Sequence, residues 1–304
     1  MIDNINQDAF KLYSSYLQLR MEAFYLRRGN QLSADPVLSK YPFCNNYRFL
    51  DWGSQRYLEC VNKSTDKVLG GLLFDLFKRE DTFNIIYQCL DCDITWNNFN
   101  SKLDHVISSL TKQQDIGNTI YTNGYIMPCI TSISNNKATS WLIHLHDNQH
   151  KLKQLNTITT LEESFNLFKS ITGFGDFLAM QFAIDLSWLD NVKYDGYDFV
   201  VPGNGAVRGL AKLGLSKKQM ISFLYYLTDN QSTLFNEQCF YNGIAYCPMD
   251  FQNTFCEFDK YTRSPLCPTT ITFDNGKRNK MKRNITNPRE VKDIIVPNNL
   301  QLIK

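Results

Sequence analysis

Apolar and polar positions alternate along this chain mostly with a helical period. In 8–28, Phe10, Tyr13, Leu17, Met21, Phe24 and Tyr25 recur at three- and four-residue steps, and Gly29 marks a stop. In 45–62, Tyr47, Leu50, Tyr57, Leu58 and Val61 share one helical side. Residues 67–90 read as a helix pair, and 96–110 as a further helix with Leu103, Val106, Ile107 and Leu110 inward. The pattern lapses over 118–132, which reads as a loop or short strand, and resumes over 140–155.

Residues 160–189 predict two short helices around a tight turn, "ITGFGD". Thr160 and Glu163 fit a capping box at the first helix start. Phe177, Leu178, Phe182 and Leu186 mark the second helix, with Asp176 placed to cap it. Residues 197–220 begin extended, turn at "PGNG" and restart as helix, and Ser216 is set to cap the helix after that. Residues 247–268 read as a last helix, with Met249, Phe251, Phe255 and Phe258 apolar. No repeat and no strand–helix rhythm is present, so the pattern predicts an all-α fold. Its boundaries are a helical domain over 1–268 and a polar, basic, mobile C-terminal segment over 269–304.

Composition narrows the class. In 304 residues, 43% hydrophobic content with 21 Phe and 16 Tyr describes a packed globular protein. No apolar run has the length of a membrane span, and the N-terminus lacks the pattern of a secretory signal. The expectation is a soluble, intracellular protein with no membrane partner and nine free thiols. Cys89 and Cys92 form one C-x-x-C without a second pair, and His146 and His150 are spaced i, i+4 with only Asp147 nearby. Neither set completes four zinc ligands, so no metal is assigned.

The net charge is only +2, but 276–289 holds six cations and no acid, Lys277 and Arg278 among them. Such a run suits phosphate neutralisation or a solvated tail. In "ITGFGD", Gly173 and Gly175 flank Phe174 where a helix begins, and the unpaired N–H groups of a helix start attract phosphate. There is no G-x-x-x-x-G-K-[ST], so this is no P-loop kinase.

The two helices around "ITGFGD" resemble the helix–hairpin–helix of the DNA glycosylase superfamily, in which hairpin amides meet a DNA phosphate. Two departures stand out. Phe177 occupies the position of the lysine of lyase-type members, and "VVPGNGAVRG" lacks the aspartate of many glycosylases, with Asp195 and Asp198 only nearby. Four blocks, "FCNNYRFLDWGSQ", "TNGYIMP", "GFGDFLAMQFAIDL" with "VPGNGAVRGL", and "MDFQNTFCEFDKYTR", together resemble the α-glutamyl/putrescinyl thymine pyrophosphorylase family, described also as amino acid:DNA transferases and as the helical domain of 5-hydroxymethyluracil DNA kinases. The likeness spans about residues 20–265.

That resemblance implies a glycosylase-like helical fold and a base-modifying transferase of phage or viral DNA. Pyrophosphate on an activated 5-hydroxymethyluracil in double-stranded DNA would be displaced by an amine, an amino acid or a polyamine, after a partner base kinase has acted. The alternatives are a glycosylase excising a modified base, through Asp195 or Asp198, and a non-catalytic DNA-binding partner of the kinase. The transferase step needs cations on the leaving pyrophosphate, for which bidentate arginine is suited. Arg48, Arg56, Arg208 and Arg263 are the candidates, with Gly203 and Gly205 as a phosphate nest and magnesium as a candidate helper. A base must take a proton from the amine. Asp51, Glu257 and Asp259 are candidates, with Lys260 toward phosphate, while ion pairing is the plainer role of the 257–260 acids. Cys256 is a weaker candidate nucleophile, because no histidine is placed to activate it. Gly173, Phe174, Gly175, Lys277 and Arg278 are expected on DNA. Trp52 and Tyr125 are aromatic candidates to stack on a base swung out of the duplex.

Overall fold

The computed structural model describes residues 5–122, 127–273 and 293–303. Lys277, Arg278 and Tyr125 lie outside them. The all-α expectation holds. Among the described residues there is no strand, only an isolated bridge between Ile244 and Leu302. The described residues form twelve α-helices in order: α1 (Gln7–Arg28), α2 (Trp52–Val61), α3 (Lys67–Phe77), α4 (Glu80–Cys89), α5 (Trp96–Asp115), α6 (Lys137–Asp147), α7 (Gln149–Leu152), α8 (Leu161–Lys169), α9 (Asp176–Leu186), α10 (Asn204–Ala211), α11 (Lys217–Leu234) and α12 (Pro248–Thr262).

The helix starts follow from local chemistry. Asn6, Asp66, Thr95, Asn136 and Thr160 each accept a first-turn amide through the side chain. Ser216 and Gln219 form a full capping box. At Thr160 the box is only half closed, because Glu163 reaches the Thr159 amide instead. The predicted helix over 45–62 is broken. Arg48–Leu50 is a single 3-10 turn, and Asp51 is extended ahead of α2. The Asn45 amide draws the Asp51 carboxylate back over that turn, 2.6 Å away, and this fixes the break.

The chain forms two compact units. One comprises Met1–Trp52, Gly196–Ile294 and Leu300–Lys304, and the other Gly53–Asp195 with Ile295–Asn299. In the first, α12 runs through the core. Tyr13 of α1 stacks on Phe255 at 4.0 Å, and its hydroxyl meets Thr254 at 2.6 Å. Helices α10 and α12 pack face to face at very short range. A Cβ on Gly209 would come within 2.1 Å of the Phe255 carbonyl oxygen, and one on Gly205 within 2.2 Å of Cys256 Sγ. The two glycines, four apart on one face of α10, are what lets the helices meet.

In the second unit, α8 and α9 form the hairpin and α3 packs on α9. Phe174 is buried against Trp141, Phe168 and Phe182. His144 Nε2–H donates to the Thr172 carbonyl at 2.7 Å, so this histidine pins the turn. The Lys78 ammonium lies between Asp75 and Asp185, both buried, with the Tyr57 ring 5.6 Å away. Lys78 itself sits in the left-handed region, φ 49°, at the end of α3. Its two carboxylates hold its pKa up against the opposing effect of burial, so it remains an ammonium that ties α3 to α9.

The described part of the expected C-terminal segment is anchored. Gln55 exchanges two hydrogen bonds with Ile295 in the second unit. In the first, Ala245 N–H donates to Gln301 and Ile303 N–H to Gly243, each at 2.9 Å. No helix among the described residues is long and apolar enough to cross a membrane.

Candidate functional site

Helix α12 organises the first unit's polar residues into two stripes. On one, Asn253, Glu257 and Lys260 face the loop 43–51. Asn253 donates to the Asn45 carbonyl at 3.0 Å, the Cys44 amide donates to Glu257 at 3.1 Å, and the Lys260 ammonium pairs with Glu257 and lies 4.3 Å from the Phe43 ring. On the other, Gln252, Cys256, Asp259 and Arg263 face α10. These are steps of three and four along one helix, so both stripes follow from sequence spacing.

The second stripe ends in a cation cluster. Asp259, 2% exposed, accepts from Arg208 Nε at 3.0 Å. Lys212 Nζ lies 3.5 Å from its other oxygen, and Arg263 Nε lies 3.6 Å away. Three cations thus gather around one buried carboxylate. Lys212 is the strained member. Burial pulls its pKa below the ordinary lysine value, Asp259 opposes this, and Arg263 and Arg208 add to it.

The first stripe holds an acid of different character. Asp51 is half-buried, and burial raises its pKa to about 6. The Asn45 amide, Arg20 and Arg48 pull the other way, and Glu257 adds to the rise. A carboxylate poised there is suited to accept a proton near neutral pH. Cys44 is exposed, yet crowding by protein raises its thiol pKa, with Asp51 and Glu257 adding to the effect. Burial likewise pushes the Cys256 thiol up to about 11, which disfavours the thiolate form that a nucleophile requires.

The structure gathers Arg48, Asp51, Gly203, Gly205, Arg208, Glu257, Asp259, Lys260 and Arg263 in one unit. It redistributes their roles. The Asp259 carboxylate is occupied by cations, which matches ion pairing and not a free base. Gly205 is a helix-contact residue, and the Gly203 amide already donates to Gln252 at 2.9 Å. Arg56 belongs to the other unit, where it pairs with Glu59 and Glu80. Gly173, Phe174 and Gly175 form the turn of the hairpin in that unit. Gly175, not Asp176, is the N-cap of α9, and the Asp176 carboxylate pairs with Lys169 at 2.7 Å. Trp52 opens α2, and no cluster of three or more metal-ligating side chains occurs among the described residues.

Sequence reasoning missed Lys212, Arg20 and the Asp75–Lys78–Asp185 group. Lys212 was within reach, since it stands four residues after Arg208 on a helix.

Residues 7–268 match the family described as 5-hmdU DNA kinase, helical domain. The chain belongs to that family. Comparisons with curated proteins and with solved structures gave no match. Membership links this helical domain to the hydroxymethyluracil route of thymine hypermodification in DNA.

Proposed function

We propose that this helical domain carries out the amine-transfer step of thymine hypermodification, displacing pyrophosphate from an activated 5-hydroxymethyluracil in DNA. The observation that carries the reading is the convergence of Arg208, Lys212 and Arg263 on buried Asp259, with Arg208 the most exposed of the three, a grouping of cations that suits a departing pyrophosphate. An incoming ammonium, from an amino acid or a polyamine, gives its proton to the Asp51 carboxylate. The freed amine forms a C–N bond to the 5-methylene carbon, the C–O bond breaks, and both electrons leave with pyrophosphate. Arg208, the most exposed of the three cations, meets the anion first. The nearby acids Asp259 and Glu257 are already paired with cations, so this donor set does not fit a magnesium ion. Double-stranded DNA is the partner, held at the Gly173–Gly175 turn, and a base kinase acts before this chain. The glycosylase-like ancestry of the hairpin and the extrusion of the target base belong to the same reading.

The test is nucleoside mass spectrometry on hydroxymethyluracil DNA pretreated with a base kinase, then incubated with the protein and a pool of amino acids and polyamines. The expected product is a thymidine carrying the donor amine, reduced at least about tenfold in Arg208→Met. Free base and abasic sites would transfer the reading to a glycosylase. DNA bound but chemically unchanged would leave a non-catalytic partner of the kinase.

A further inference from the structure

Arg20 is wholly inside the first unit, 2% exposed, and the amine-transfer scheme gives it no part. It reaches from α1 to one short stretch of loop. Its Nε donates to the Cys44 carbonyl at 2.9 Å, and its Nη2 donates to the Phe43 carbonyl at 3.1 Å and to Asn45 Oδ1 at 2.5 Å. Two successive carbonyls and a side-chain amide are thereby turned toward one guanidinium.

The amides of the same stretch serve the site. Cys44 N–H goes to Glu257, and Asn45 N–H goes to Asp51 at 2.6 Å. Asn45 is braced further by its Nδ2 on the Leu50 carbonyl and by Asn253 on its own carbonyl. A planar guanidinium with fixed donors can hold the loop in this way, whereas a lysine offers one point of charge. Arg20 Nη1 is buried with no hydrogen-bond partner, and the acceptors met by Nε and Nη2 are neutral oxygens that carry no countercharge.

We propose that Arg20 is a positioning residue that sets the protonation of Asp51, by orienting the Asn45 amide onto its carboxylate and by adding its own buried charge. This rests on Asp51 being the proton acceptor for the incoming amine. The groups that face Asp51 are Arg20 from α1, Arg48 from the 3-10 turn, Cys44 from the loop and Glu257 from α12, the last paired with Lys260. Arg20, Arg48 and the Asn45 amide favour the carboxylate form. Burial and Glu257 favour the acid.

Carbon-13 NMR titration of the Asp51 carboxyl, assigned by loss of its signal in Asp51→Asn, reads this without any substrate. In Arg20→Met the midpoint should rise by about one pH unit. In Arg20→Lys it should rise less, because the charge is kept and the fork lost. Asn45→Ala, which removes the side-chain link but keeps the core arginine, should shift it in the same direction and serves if Arg20→Met does not fold. A midpoint unmoved in the folded variants overturns the proposal. The acid limb of the transfer rate is a separate readout. If it fails to follow a moved midpoint, Asp51 is not the proton acceptor, while its control by Arg20 stands.

Discussion

At the scale of single residues, the most informative group is Asp51, because its environment favours the acid form. A carboxyl with folded pKa near 6 and an unfolded value near 4 binds more protons when folded across that interval. Its presence therefore destabilises the folded protein progressively as pH rises from about 4 through 6, and the whole cost is present at pH 7. Buried Asp250, also raised by burial, acts in the same direction. Asp51→Asn keeps the shape and removes the charge. Chemical denaturation should find the variant more stable than wild type at pH 7, with the gain gone near pH 4, even as transfer activity is lost. Equal stability difference at both pH values would mean that Asp51 is ionised at low cost. Lys78 shows the opposite balance, a buried cation whose two carboxylates outweigh its desolvation.

At the scale of elements, the hairpin separates two reasons for glycine. Gly173 has φ 93°, and a Cβ there would stand 3.1 Å from the Trp141 ring, so its glycine answers to the fold. Gly175 has an ordinary φ of −77° and open space where a Cβ would go, so nothing within the chain demands glycine there. On the proposed role, Gly175 keeps the α9 amides open to a DNA phosphate. Gly173→Ala should cost about 1–2 kcal/mol, several degrees of melting temperature. Gly175→Ala should melt within about a degree of wild type while weakening duplex binding. Thermal unfolding and a DNA-binding titration of the two variants decide this. Gly175→Ala binding DNA as well as wild type does would remove the hairpin from the interface.

At the scale of the whole molecule, the helices were legible because each carries its own period and stop or start signals, as at Gly29, Thr160 and Ser216. The two units were not, because the first interleaves Met1–Trp52 with Gly196–Ile294 across a long intervening segment, and local periodicity contains no such pairing. On α12 the spacing shows which residues share a face and not which partner each one meets. Whether Asp259 is a base or a bridge depends on which helix lies across it. That information resides in Gly205 and Gly209, of which Gly205 reads along the chain as part of a phosphate turn, while in space both lie at the contact with α12. Arg20 escaped for a similar reason, since an arginine in an amphipathic helix reads as a surface residue until its loop partners, 23 to 25 positions on, are in place.

The glycine contact also couples the local opening of the two helices. With Gly209 seated on the Phe255 carbonyl, α10 has no room to tilt or slide unless α12 moves with it. Local opening of either helix then exposes both, and the arginine and lysine of one part from the aspartate of the other in the same event. Amide hydrogens along α10 and α12 should exchange with deuterium as one cooperative unit with a single opening free energy, below which neither helix frays alone. Hydrogen-exchange mass spectrometry would detect this as matched protection in two segments about fifty residues apart.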